Sequence, residues 1–478
     1  EVYAVEEGTV VPMRVPMIVF QNTVSGFHWV AGYLEDAFSA EIWKACTIAT
    51  IALHYKRICK KWADLTCDND LHLPYQCHDF AMRGMSGFTD DAFNAVGHLT
   101  SFKGTDSFPA VYTAKRIYGQ SYPISDIGSS VPATEHSVMC ANIAWEGGNE
   151  LIEEERRFKG ELQTFRRFLT ETYPTGIASV VSDTYNFWRT VSEILPALRK
   201  EIMGRDGKLV IRPDSGDPVH IVTGYKAIHL ECAKKAYYEH LSKLEASDTM
   251  LNAVLNMKLE NINYGIAGWL LSEGYEMVVD REDFEVADTV MLKNAYMVGS
   301  ANVVTRPVAE IDGAIKTLYN IFGGTINSKG FKVLDEHIGL IYGDSITLER
   351  ANEILKRLYE MGFASSNVVF GVGSYTYQYM TRDTFAFAVK ATLASIGGKE
   401  IMLAKDPKTD SGVKKSAFGG VAPMWDGENL KAVDGYGFQS FADALEHPAC
   451  ALRLVFSDSE QFGYTTLGDI RNNIDKQL

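Results

Sequence analysis

Arg212 and Asp214 close an apolar run, Leu209, Val210 and Ile211, in the string LVIRPDSG that spans Leu209 to Gly216. Three aliphatic residues in succession read as a strand buried on both faces, as in a parallel sheet under helices. A guanidinium and a carboxylate do not belong in that interior. They belong at the strand's carboxyl end, where α/β barrels and open α/β sheets carry catalytic and ligand-binding groups. Pro213 stops the ladder, and Gly216 permits a tight turn or close approach of backbone to a ligand. The plainer reading is a capped strand end with a local Arg–Asp ion pair, and the string taken alone fits both.

The same kind of ending recurs. VVSD closes at Asp183, HIGLIYGD closes at Asp344 after Gly343, and NVVFGVGS ends in a glycine-rich turn at Gly373 and Ser374. Carboxylates grouped at one rim of a parallel barrel can hold sugar hydroxyls or a magnesium ion, and a Gly-rich turn offers backbone N–H groups to phosphate. The chemistry suggested is that of a phosphorylated sugar. Three further strings carry reactive residue types. HDFAMRG (His78 to Gly84) sets an aromatic between acid and base, FKGTD ends in Asp106, and VPATEHS places His136 after an acid. None is specific alone, and a single histidine is more often a satisfied structural residue than a catalyst.

The elements that must position these groups alternate in βαβ style. Residues 1 to about 33 read as short antiparallel strands, and Glu6 to Pro12 open into turn and strand as though the chain began inside a sheet. From Leu34 to about Trp62 a helix is expected, with Ile42, Ala45, Cys46, Ala49, Ala52, Leu53 and Ile58 on its apolar face. Helices follow from about Glu150 to Glu171, from Asp183 to about Lys200, and from Thr347 to Met361. Leu348, Ala351, Leu355 and Leu358 line the last, and Gly362 stands where a C-cap is wanted. The stretch from about His220 to Gly323 is rich in helix formers in its first half and reads as a surface helical insertion without chemistry of its own. From about Gly397 the chain returns to turn-rich strands, with KDPKTDSGVKKS as a mobile basic loop. The expected division is a β-rich domain from 1–33 plus 397–478, and an α/β barrel over 34–396 with the insertion at about 220–323.

Composition bounds the function. At 478 residues the chain exceeds one ordinary domain. Hydrophobic residues at 46% and charged residues at 22% are globular values, and no apolar run is long enough to span a bilayer. A formal charge of −15 disfavours non-specific nucleic-acid binding. Seven scattered cysteines, odd in number and without a CxxC pair, read as reduced thiols of a cytoplasmic protein rather than a disulfide frame or zinc site.

HDFAMRG, FKGTD, VPATEHS, VVSDTYNFW, LVIRPDSGDP, NSKGFKVL, YGDS, FGVGS and YMTRD occur in this order along the chain. In that order they resemble the nicotinamide phosphoribosyltransferases, type II phosphoribosyltransferases of NAD salvage. The resemblance covers about Glu7 to the C-terminus, apart from the insertion. It implies an irregular α/β barrel with an appended, mostly antiparallel β domain formed from both chain ends. It also implies transfer of a phosphoribosyl group from 5-phosphoribosyl 1-pyrophosphate to nicotinamide, with Mg2+, and coupling to ATP hydrolysis through a phosphohistidine, which by motif is His136. The implied partners are these small molecules and a second copy of the chain, in a homodimer with sites at the interface; nucleic acid and membrane are not among them.

Residue by residue, the resemblance puts His136, Asp183, Arg212 and Asp214 in the catalytic set. Phe80 would stack on the pyridine ring, its plainer role being that of a core phenylalanine. Asp106 would accept from the carboxamide NH2, and Arg212 would donate to the amide oxygen or a phosphate. A carboxylate facing Asp106 would meet like charge, so the amide is the expected substrate and nicotinate the alternative. Asp214, Gly343 and Asp344 match positions that bind ribose hydroxyls, and Arg83 and His136 match the diphosphate side. Asp183 would orient His136 or a magnesium-bound water, or else cap the helix that follows. No metal held directly by side chains is expected. Gly373, Ser374 and Arg382, with Lys390 nearby, match the 5-phosphate turn, where the family carries glycine in place of Ser374 and Tyr375. The family also has a segment upstream of the point matching Glu1, with a tyrosine that covers the second face of the pyridine. A non-catalytic relative that kept the fold is the reading from another class.

Overall fold

The computed structural model describes residues 1–119, 121–280, 285–293, 301–343, 345–403, 408–409, 419–434 and 440–478. Asp344 therefore lies outside the described residues, as does KDPKTDSGVKKS apart from Lys408 and Thr409. The chain forms two compact units: Glu1–Lys60 with Leu73–Ser130 and Val372–Leu478, and Lys61–His72 with Val131–Gly371. The architecture is mixed α/β, with parallel strands and separate antiparallel sheets. No helix among the described residues is long and apolar enough to cross a membrane.

The second unit is built on the parallel strands Ala178–Val181, Leu209–Arg212, Ile338–Tyr342 and Val368–Val372. Their register sets Val180 beside Ile211, Ile211 beside Leu340, and Leu340 beside Val368. All four side chains are buried, so one apolar row runs across the sheet and fixes which residues emerge at its carboxyl edge. The run LVIR is not buried on both faces as expected: Leu209 and Ile211 are buried, whereas Val210 and Arg212 are half-buried. The helix Leu348–Glu360 buries Ala351, Ile354, Leu355 and Leu358, is capped by the Thr347 side chain, and gives way to Gly362 at φ +77°. The helix expected up to Lys200 is instead a broken run, Phe187–Arg189, Thr190–Ile194, Leu195–Ala197 and Arg199–Met203. Pro196 lies within it and has no N–H to give to the carbonyl four residues back.

The insertion is not simply helical. Strands Ala227–His229 and Met277–Asp280 pair in parallel, and Val286–Met291 and Val303–Pro307 continue the sheet antiparallel. Helices Leu230–Lys243, Asp248–Leu255 and Tyr264–Ser272 accompany this sheet, and Ile228, Leu230, Ile266, Leu270, Val278 and Val290 share one core. The Lys, Glu and Ala content that suggested helix describes the first half; the short β-branched runs after Tyr275 form the strands.

In the first unit the two chain ends do pair. Val2–Val5 lies antiparallel between Ile18–Phe20 and Leu452–Ser457. Val5, Met424, Leu430, Phe441 and Leu452 pack into one cluster. The C-terminal helix Leu467–Asp475 is tied down by Arg471, which donates to the carbonyls of Leu99, Asp126 and Ile127. The long helix Val30–Thr66 begins earlier than expected, and its most buried stripe is Ile48, Ala52, Tyr55 and Cys59. Lys44 and Lys56 are buried on the same helix, paired with Asp90 and Asp475, which hid this face from a pattern of apolar residues alone.

Glu276 stitches the insertion to the helix Leu348–Glu360. It accepts from Arg357 Nη1 at 3.0 Å and from the Lys226 amide at 2.9 Å. Burial pushes its carboxyl up, but hydrogen bonds from His220, Arg357 and Lys226 outweigh this and hold it well below the usual carboxylate range. A depressed folded value contributes stability above the ordinary 4.5, and this is lost as pH falls. Glu276→Gln should therefore cost on the order of 2 kcal/mol at neutral pH, shrinking in acid, as read by denaturant melts across pH 3–7.

Candidate active site

Four residues singled out from the sequence meet in the second unit. Arg212 Nε and Nη2 donate to the two carboxylate oxygens of Asp214 at 3.2 and 3.0 Å, so the local ion pair of the plainer reading is present. Both side chains remain partly exposed. Asp183 Oδ2 accepts from the Asp214 amide at 2.9 Å and from Ser215 Oγ at 2.6 Å, pinning the turn that carries Asp214. Its Oδ1 is buried without a hydrogen-bond partner. His136 Nε2 stands 3.7 Å from Asp183 Oδ1 and 3.7 Å from Asp214 Oδ2. These are ion-pair distances too long for a direct hydrogen bond.

Local folding explains each position. The segment before His136 is laid along the sheet edge: Thr134 donates its amide to Ser179 O at 3.1 Å, and its Oγ1 accepts from the Val181 amide at 3.0 Å. His136 is then the first residue of the helix His136–Glu146. Asp183 is not a helix cap, because Asn186 fills that role for Phe187–Arg189. A Cβ at Gly343 would lie 1.9 Å from Asp214 Oδ1, so only glycine lets the carboxylate sit there. Gly216 turns at φ +89°, and Tyr342 Oη donates to the carbonyls of Ser215 and Gly216, each at 3.0 Å. Ser215 and Tyr342 were not foreseen; a tyrosine ending an apolar strand, which needs a partner for its hydroxyl, was the available signal. Glu161 was also missed. Burial pushes its carboxyl up to about 7, against a hydrogen bond from Thr190 and the charge of Arg189, with Asp183 adding to the rise.

The other residues lie in the first unit. Strands Cys77–Asp79 and Gly104–Thr105 pair in parallel, setting His78 beside Gly104 and Asp79 beside Thr105. Phe80 follows the first strand, is half-buried rather than core, and lies against the His78 ring with centroids 4.7 Å apart. Asp106 follows the second strand. Its Oδ1 takes His78 Nε2 at 2.9 Å and accepts from Ser130 Oγ at 2.6 Å. It stands on the wall of a cavity of about 320 Å³, with Phe108, Tyr112, Ile124, Ser129 and Ser130. Arg83 is exposed in the turn Met82–Gly84, and a Cβ at Gly84 would fall 2.1 Å from Ser374 Oγ. Gly373 precedes the short helix Ser374–Tyr377. Arg382 and Lys390 are exposed, and the ion-pair partner of Arg382 is Asp383 at 3.8 Å.

Beneath Phe80 and Asp106 is a layer of buried polar groups. Asp79 accepts the Ala81 amide on Oδ1 at 2.8 Å, and its carbonyl accepts the Asp106 amide at 2.9 Å. His98 is fully buried; its Nε2 donates to Gly104 O at 2.9 Å, so Nδ1 accepts from Tyr377 Oη at 2.8 Å. Burial pushes this imidazole down to about 3, which makes His98 a neutral structural residue. Ser107 Oγ lies near the carboxyls of both Asp79 and Asp91, yet Ser107 Oγ, Asp79 Oδ2 and both Asp91 oxygens lack a well-formed hydrogen bond.

A family model described as the nicotinate phosphoribosyltransferase (NAPRTase) family matches residues 75–264 and 300–433. The chain belongs to this family. Within it, a nicotinamide phosphoribosyltransferase of Acinetobacter baylyi is 39% identical over 484 residues, covering 100% of this chain and 76% of the relative. Another of that name, from Mycoplasma pneumoniae, is 31% identical over 425 residues, covering 88% and 70%. A solved nicotinate-nucleotide pyrophosphorylase from Pyrococcus furiosus aligns with a TM-score of 0.45 at 14% identity, covering 100% of this chain and 79% of that one.

Burial pushes the Asp79 carboxyl from 3.8 up to about 6, against the hydrogen bond from the Ala81 amide and the nearby Ser107 hydroxyl. The folded chain therefore holds this proton more tightly than the unfolded one, and stability falls as pH rises from 3.8 towards 6. Asp79→Asn keeps the acceptor for Ala81 and removes the buried charge. It should raise stability by about 1–3 kcal/mol at pH 7–8 and flatten the slope, as read by melts over pH 4–8.

Proposed function

We propose that the chain transfers the phosphoribosyl group of 5-phosphoribosyl 1-pyrophosphate to nicotinamide, giving nicotinamide mononucleotide and pyrophosphate in NAD salvage. The observation that carries this reading is the likeness over the whole chain to nicotinamide phosphoribosyltransferases. The placement of Asp106, an anionic acceptor on a cavity wall, favours the amide over the acid.

In this reading Phe80 offers one face to the pyridine and Asp106 accepts from its carboxamide. The ring nitrogen attacks C1 of the ribose as the bond to pyrophosphate breaks, through an oxocarbenium-like state that requires no protein nucleophile. Arg212, held in plane by Asp214, donates to the amide oxygen or a phosphate. Asp214, Gly343 and Asp344 serve the ribose hydroxyls; Arg83 and His136 face the diphosphate; Gly373, Ser374, Arg382 and Lys390 serve the 5-phosphate. The unpartnered Asp183 Oδ1 and the Asp214 carboxylate are oxygen donors that suit a hydrated Mg2+. That ion would offset charge on the departing pyrophosphate. The same reading takes the fold as the irregular α/β barrel of type II phosphoribosyltransferases and the assembly as a cytoplasmic homodimer with sites at the interface.

Incubation with nicotinamide, the phosphoribosyl donor and Mg2+ should yield the mononucleotide; a folded preparation giving none, with or without ATP, would refute the reading. In competition between the two pyridines nicotinamide should win, and Asp106→Asn should narrow its advantage by about tenfold or more. ATP coupling through His136 makes a separate prediction. ATP labelled on its γ-phosphate should leave base-stable, acid-labile label on the protein, and His136→Asn should abolish both the label and any stimulation of turnover by ATP.

A further inference from the structure

His78 holds the one oxygen of Asp106 that Ser130 also holds, and it forms part of the surface against which Phe80 rests. Its ring fits because residue 104 is glycine: a Cβ there would lie 2.9 Å from His78 Nδ1. The His78 side chain is 12% exposed and that of Asp106 45%, so the imidazole is largely withdrawn from solvent while the carboxylate it holds faces the open cavity. Of the two groups on Asp106 Oδ1, the Ser130 hydroxyl cannot change charge. The imidazole can, and it donates through Nε2 in either state, so its protonation alters the charge of the pair without breaking the contact.

We infer that His78 is a specificity-determining residue, whose neutral form leaves Asp106 anionic and closed to a pyridine carboxylate and whose imidazolium form cancels that charge and admits it. The inference deepens the proposed function and rests on it for the identity of the ligand. Among the described residues, neither Asp79 nor His98, which also lie near His78, supplies the switch. Asp79 is next along the strand and faces the opposite side, where it is buried; its rise to about 6 is common to the wild type and His78→Gln and so does not produce a difference between them. His98, on the helix Val96–Leu99, is kept neutral by burial and is committed to Gly104 and Tyr377.

The test is the ratio of kcat/KM for nicotinamide to that for nicotinate, measured by competition in one vessel between pH 6 and 8. Effects common to both pyridines cancel in it. In the wild-type chain the ratio should fall by about tenfold or more towards the acid end, as the His78–Asp106 pair loses its net charge. His78→Gln keeps a donor but never charges, so its ratio should stay high and independent of pH, whereas Ser130→Ala should retain the wild-type slope. A ratio that does not move with pH in the wild type, or a His78→Gln slope equal to the wild-type one, overturns the inference. Absence of product from either pyridine would instead refute the proposed function. In that case calorimetric binding of nicotinate to the full chain decides: affinity that rises in acid in the wild type but not in His78→Gln upholds the role of His78, and affinity that does not change overturns it.

Discussion

The parallel register of the second unit is the constraint on which the arrangement of His136, Asp183, Arg212 and Asp214 depends. Val180, Ile211, Leu340 and Val368 form one buried row, and a shift of a single residue in any of these strands would break that row and move the polar residue at its end. With the row in place, the residues just beyond it share an edge. Asp183 can then reach the Asp214 amide and Ser215, and Tyr342 can reach the carbonyls that follow. The polar groups are thus placed by hydrophobic residues that take no part in chemistry, which suits positioning on rigid strands rather than loops.

The first unit meets a different difficulty, that of keeping acidic and imidazole groups close together under an aromatic shelf. It does so by assigning each a distinct state. His98 is buried and neutral, Asp79 is pushed towards its protonated form, and Asp106 reaches the surface with two donors on one oxygen. The unsatisfied oxygens around Ser107 mark where this arrangement costs most.

Strand endings were the most legible part of the sequence. An apolar run that stops at an arginine or aspartate leaves little choice about where the charge must go, and Asp183, Arg212 and Asp214 lie where that argument sends them. What the sequence hid was burial of polar residues. Lys44 and Lys56, which a pattern of apolar residues leaves out of account, are interior and paired, and nothing in HDF announced that its aspartate is fully buried while its histidine holds Asp106. The sheet of the insertion was masked by helix-forming composition in its first half, because propensity yields to packing where short β-branched runs can pair.

Gly343 has a consequence for how this sequence can change. Its missing Cβ is in effect a third member of the Arg212–Asp214 pair, since the space a methyl group would take is the space that Asp214 Oδ1 fills. Drift at residue 343 is therefore coupled to drift at residue 214: any side chain acquired there first displaces the carboxylate and releases the guanidinium it holds. An alanine at 343 would thus be felt first at Asp214 and only through it at Arg212. The two positions, 129 residues apart in the chain, are coupled through this one contact.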